Sequence, residues 1–129
     1  MAGPIRRDSD GKIKFPTFRA CGGLYRFLVR RFDGSRATYV GETDNLQRRF
    51  SHYRNPGPTQ LTNVRINALF VGVLSDGGSI EVEVIVDHAW IKIGETEVAA
   101  DFSRKDVRRL FENFILATQK IAEVEDLNK

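Results

Sequence analysis

The sequence predicts an α+β domain: a small, mostly antiparallel three-stranded sheet flanked by helices, in the order β-β-α-α-β-α. Three observations carry this. Residues 24–31 and 37–41 are apolar-rich and flank the turn residues Phe32-Asp33-Gly34-Ser35, which reads as a β-hairpin. In residues 80–87, Ile80, Val82, Val84 and Val86 alternate with Glu81, Glu83, Ile85 and Asp87, the period of a strand with one polar face. From Val107 on, Leu110, Phe111, Phe114, Ile115, Thr118 and Ile121 fall on one face of an amphipathic helix.

Each element has a local reason. Residues 1–19 make a basic, polar arm without a strong period, expected to be loosely ordered apart from a short extended piece at 14–18. After the hairpin, Thr43 or Asp44 can cap a helix over 45–54, with Asp44 and Gln47 at capping-box spacing. Asn55-Pro56-Gly57-Pro58 must end that helix. A second helix starts near Thr62, carries Val64, Leu69, Val73 and Leu74, and closes at residues 75–78, although β-branched Val71 and Val73 fit a helix less well. Residues 88–102 allow two readings: a hairpin around Gly94-Glu95-Thr96, or an extended excursion. Ser103 and Asp106 have capping-box spacing ahead of the last helix. Residues 123–129 read as a polar tail that frays. The predicted organisation is therefore arm 1–19, domain 20–122 and tail 123–129.

A chain of 129 residues supports one hydrophobic core, and its 41% apolar and 29% charged residues are ordinary for a soluble protein. No apolar run approaches the ~18 residues that span a bilayer, and residues 1–10 lack the apolar stretch of a secretory signal. One cysteine, Cys21, excludes a disulfide framework and a cysteine-based zinc site. A cytoplasmic protein without a membrane partner is expected. The net charge of +3 hides an asymmetry: residues 1–70 carry thirteen Lys/Arg against five Asp/Glu, and residues 71–129 seven against twelve. A basic half opposite an acidic half suits a face that binds polyanions.

Several residues could carry chemistry. Tyr25 and Tyr39 fall on paired strands, close enough to share a site, although strands favour half-buried tyrosines in any case. Arg49 lies on the first helix with Tyr53 one turn further on and His52 beside it, an arrangement fit for a phosphate or for a solvated basic face with Arg48 and Arg54. Glu112 stands at the edge of the last helix's apolar stripe, where a carboxylate points to solvent or holds a hard divalent cation. Asn63, Arg65 and Asn67 share a short helical segment that could contact nucleic-acid backbone or base edges, or simply face solvent. His88 and Trp90 read as packing or surface residues.

Together these residues resemble a known family. Gly23-Leu24-Tyr25, then Tyr39-Val40-Gly41, an arginine ten residues after Tyr39 and a late helical glutamate resemble the GIY-YIG nuclease superfamily. Residues 39–53 follow its Y-I-G-x-T-x-N-L-x-x-R pattern nearly position by position, and the resemblance covers about residues 20–120. Leu24 and Val40 replace isoleucines, and the Pro-x-x-Asn segment that often follows the family's glutamate is not found. The resemblance implies a metal-dependent endonuclease that hydrolyses DNA phosphodiester bonds with Mg²⁺ or Mn²⁺. It implies catalytic roles for Tyr25, Tyr39, Arg49, Tyr53 and Glu112, with Glu112 as the metal ligand. Nucleic acid would then lie along Arg48, His52, Arg54, Asn63, Arg65 and Asn67, and a homodimer or partner protein would supply specificity. A non-catalytic module that keeps the fold to bind nucleic acid or a partner stays open as the alternative.

Overall fold

A computed structural model of the chain describes residues 2–119 and 124–128. In chain order its elements are β1 (Ala2–Arg7), β2 (Ile13–Lys14), β3 (Gly23–Arg30), β4 (Arg36–Thr43), α1 (Leu46–Arg54), α2 (Leu61–Ser75), β5 (Ser79–Ile85), β6 (Trp90–Ile93), β7 (Thr96–Ala99), α3 (Lys105–Thr118) and β8 (Val124–Asp126). The predicted β3–β4 hairpin is present, and β5 pairs antiparallel with the other edge of β3.

The sheet is larger than the three strands expected. Among the described residues it has six, in the order β2-β1-β5-β3-β4-β8. The arm expected to be loosely ordered supplies two of them: β1 pairs with β5, and β2 with β1. The tail expected to fray supplies a third, β8, which runs parallel to β4. These strands gave no pattern because each is anchored by so few apolar side chains. Ile5, Ile13 and Leu127 are buried, while their neighbours are mostly polar and exposed.

Alternation along β3 divides the core into two. Tyr25, Phe27 and Val29 face α1 and α2 and join Phe50, Tyr53, Ile66 and Phe70 in the larger cluster. Leu24 faces the other way, toward Phe102 and the α3 residues Val107 and Phe111. Residues 88–102 form the hairpin alternative, β6 paired with β7, and Gly94 in the turn has a positive φ of 58°.

Helix ends differ in detail from the capping signals. Asn45, not Thr43 or Asp44, caps α1: its side chain accepts from the Arg48 backbone N–H at 2.9 Å. At α3 the Ser103–Asp106 box does not form. Arg104 takes the cap position, and Ser103 turns back to the Asp101 carboxylate. The buried face of α3 is Val107, Arg108 and Phe111, whereas Leu110 and Phe114 are 39% and 48% exposed. Ile121 lies outside the described residues. Among the described residues no helix is long and apolar enough to cross a membrane.

Candidate functional site

The site begins with strand register. Tyr25 sits directly opposite Gly41, and Phe27 opposite Tyr39, so the two tyrosines occupy one face, offset by two residues. The Tyr25 ring lies over Gly41, where an added Cβ would come within 2.3 Å of its phenol carbon and oxygen. The glycine of the Tyr39-Val40-Gly41 motif is therefore the space that the tyrosine of the first motif fills. Tyr25 is 2% exposed and its hydroxyl is 2.8 Å from that of Tyr53, itself fully buried. These two tyrosines belong to the main core as well as to a polar cluster, and Tyr39 stacks on Phe27 at the cluster's more open side.

Burial sets their protonation. It raises the pKa of both phenols well above the ordinary value near 10, so Tyr25 and Tyr53 are neutral hydrogen-bonding groups at neutral pH. The charge of Arg49 acts on Tyr25 in the opposite direction.

Arg49 reaches this cluster because residues 43–46 build a rigid entry to α1. The Thr43 hydroxyl accepts from the Asn45 N–H at 3.1 Å, Asn45 caps the helix, and the Leu46 N–H donates to the Cys21 carbonyl at 2.9 Å. Fully buried Leu46 then fixes the helix's rotation, which aims Arg49 and Tyr53 at the sheet. Burial opposes the Arg49 charge, but the surrounding Tyr25, Tyr53, Tyr39 and Glu42 outweigh it and raise its pKa. Among the described residues, Arg49 takes part in no ion pair. A half-buried guanidinium without a carboxylate on it is prepared for an anion that comes from outside.

Glu112 approaches from α3. Burial and the negative charge of Glu42 raise its pKa, while Arg109, Arg49 and a hydrogen bond from the Glu42 backbone act the other way. Arg49 and Glu112 thus lie within electrostatic reach of each other. Among the described residues no trio of His, Cys, Asp or Glu gathers as a metal cage. The donor on offer is the Glu112 carboxylate; the Glu42 carboxylate near it is paired with Arg108 at 2.6 Å. Hard oxygens from one or two carboxylates fit Mg²⁺ or Mn²⁺, which also keep water and bind substrate phosphate.

The remaining predicted residues divide. Arg48, His52 and Asn63 line an open cleft of about 420 Å³ beside Arg49, with Thr43 and Thr62. Arg48 also pairs with Asp44, and Asn63 donates to Gln60 at 3.1 Å. Arg54, Arg65 and Asn67 are not brought to the cleft and have structural partners. Arg54 bonds Asp8 and the Ile13 carbonyl, Arg65 the Leu127 carbonyl, and Asn67 the Tyr53 carbonyl that ends α1.

The fold is similar to that of bacteriophage T4 EndoII. The match, to a variant of EndoII, has a TM-score of 0.56 and 17% identity, covering 92% of this chain and 89% of that one. No protein-family model and no curated sequence matches the chain.

Two further residues support the site. Asn128, on the supposed tail, accepts from the Val40 N–H at 2.9 Å and donates to the Val40 carbonyl at 2.6 Å. Its amide therefore continues the β8–β4 ladder onto the residue between Tyr39 and Gly41. The other is Glu42, which carried no signal beyond standing next to the second motif.

Proposed function

We propose that this chain is a GIY-YIG-type endonuclease that hydrolyses DNA phosphodiester bonds with Mg²⁺ or Mn²⁺ held by Glu112. The observation that carries this reading is the Arg49 guanidinium, in no ion pair among the described residues, set among Tyr25, Tyr39 and Tyr53 and within reach of Glu112. The fold likeness to EndoII supports it.

In this reading Arg49 donates to the phosphoryl oxygens and stabilises the charge that builds there. The metal, when bound, neutralises phosphoryl charge and lowers the pKa of a coordinated water. Tyr39 or Tyr25, in its deprotonated form, accepts the proton of the attacking water; the water oxygen bonds to phosphorus as the ester oxygen leaves and takes a proton from solvent. For Tyr25 burial opposes that form, and the Arg49 charge counters only part of the opposition. Tyr53 orients Tyr25 through their shared hydrogen bond. Arg48, His52 and Asn63 would hold the strand beside the cut. Action in the cytoplasm, with a second copy or a partner protein supplying specificity, belongs to the same proposal.

Cleavage of supercoiled plasmid DNA with and without Mg²⁺ or Mn²⁺ tests it. Arg49→Ala and Glu112→Ala should each lower the rate at least ~10²–10³-fold with unchanged far-UV circular dichroism. Nicking that survives either substitution would sink the assigned roles. Comparing Tyr25→Phe with Tyr39→Phe identifies the base, since only its loss should remove the alkaline-rising limb of the pH–rate profile. The near-complete burial of Tyr25 and Tyr53 favours one other reading, a non-catalytic module in which these tyrosines are structural. Metal-independent DNA binding without cleavage would establish that one instead.

A further inference from the structure

Arg108 is 6% exposed on a face of α3 that would otherwise be apolar. Its guanidinium joins three parts of the fold. Nε donates to Glu42 at 2.6 Å, and a terminal nitrogen donates to the Phe102 carbonyl at 2.9 Å. That carbonyl in turn packs on Gly22, where an added Cβ would lie only 2.2 Å from the oxygen. Arg108 stands one helical turn before Glu112, and Glu42 directly follows Gly41 of the second motif. Glu42 thus lies close enough to Glu112 and Arg49 for an unpaired charge on it to act on both.

A buried ion pair is a weak source of stability, because desolvation offsets its attraction and well-packed apolar side chains often do as well. Its placement beside Glu112 gives it another use. We propose that Arg108 is a positioning residue that holds and neutralises Glu42, leaving Glu112 as the one uncompensated carboxylate of the metal site. A second free carboxylate there would bind the cation more tightly and draw it off the phosphate. This inference rests on the nuclease reading above.

The test is titration of the chain with Mn²⁺, without DNA, by the electron paramagnetic resonance of the free ion, alongside melting temperatures. Arg108→Met frees Glu42 and should tighten Mn²⁺ binding about tenfold while plasmid cleavage falls. Glu42→Gln leaves the Arg108 cation unopposed and should weaken binding by a similar factor. The double variant should return near the unaltered affinity, and Arg108→Lys should retain it. If Arg108→Met does not fold, Glu42→Gln and Arg108→Lys still decide the sign. Weakening by both single substitutions in step with lost melting temperature would overturn the proposal and make the pair merely structural. Shifts absent from a chain that binds Mn²⁺ and cuts DNA would overturn this inference alone. An unaltered chain that does neither would overturn the nuclease reading with it.

Discussion

The two faces of the sheet are built on different principles. The face under α1 and α2 is aromatic: Phe27 contacts the rings of Phe15, Tyr25, Tyr39, Phe50, Tyr53 and Phe70, with centroids 4.9–6.1 Å apart. The face under α3 has a smaller cluster, one aromatic pair between Phe102 and Phe111, and a buried Arg108–Glu42 ion pair. The first face holds Tyr25, Tyr53 and Arg49 in fixed positions. The second brings Glu112 beside them on a helix whose apolar stripe is only half covered. Rigid positioning of the tyrosine–arginine cluster and a lighter, charge-tuned mounting of the carboxylate are thus separated by one layer of β-strand.

Truncations on each face test this division, and the largest effect is expected at its centre. Phe27→Ala should cost ~4–5 kcal/mol, measured by urea denaturation, because the cavity opens among six other rings that cannot all collapse into it. Phe111→Ala, with one ring partner, should cost ~3 kcal/mol. Equal costs would mean that the faces are not differently packed.

A smaller effect is expected where the two motifs touch. Gly41→Ala places a methyl 2.3 Å from the Tyr25 phenol and should cost ~2 kcal/mol by overpacking. It should also disturb the Tyr25–Tyr53 hydrogen bond, visible as a change in near-UV circular dichroism. A fully stable Gly41→Ala variant would show that the Tyr25 ring is free to move aside.

The subtlest test concerns Glu112. Burial and the Glu42 charge raise its carboxyl above the usual 4.5. The folded chain then keeps this proton where the unfolded chain has lost it, so stability falls as pH rises through that window. Glu112→Gln removes this penalty. In the presence of a chelator it should raise the melting temperature at neutral pH, and the gain should vanish by about pH 4, where both states are protonated. A variant less stable than the unaltered chain at neutral pH would show that the ionised carboxylate is welcome in its site.

The order β-β-α-α-β-α of the central elements, the hairpin turn and the stop after α1 were legible in the sequence because their causes are local. Alternation, helical period and Pro-Gly breakers act over a few residues and leave a pattern. The spacing of Tyr25, Tyr39, Arg49 and Glu112 was legible for the same reason. Which side of α3 is buried was not: Leu110 and Phe114 look like core, yet Arg108 takes the inward position because Glu42 awaits it across 66 residues. The edge strands β1, β2 and β8 were also hidden, since they are held by backbone pairing that any polar sequence can supply. Asn128 bonds Val40 from 88 residues away, and a single amide at that separation leaves no periodic trace. Local sequence was enough for the central elements and for the tyrosines, arginine and glutamate of the motifs. Only the tertiary structure decided how they meet: strand register put Tyr25 over Gly41, and long-range polar contacts set Glu42, Arg108 and Asn128 around the tyrosine motif.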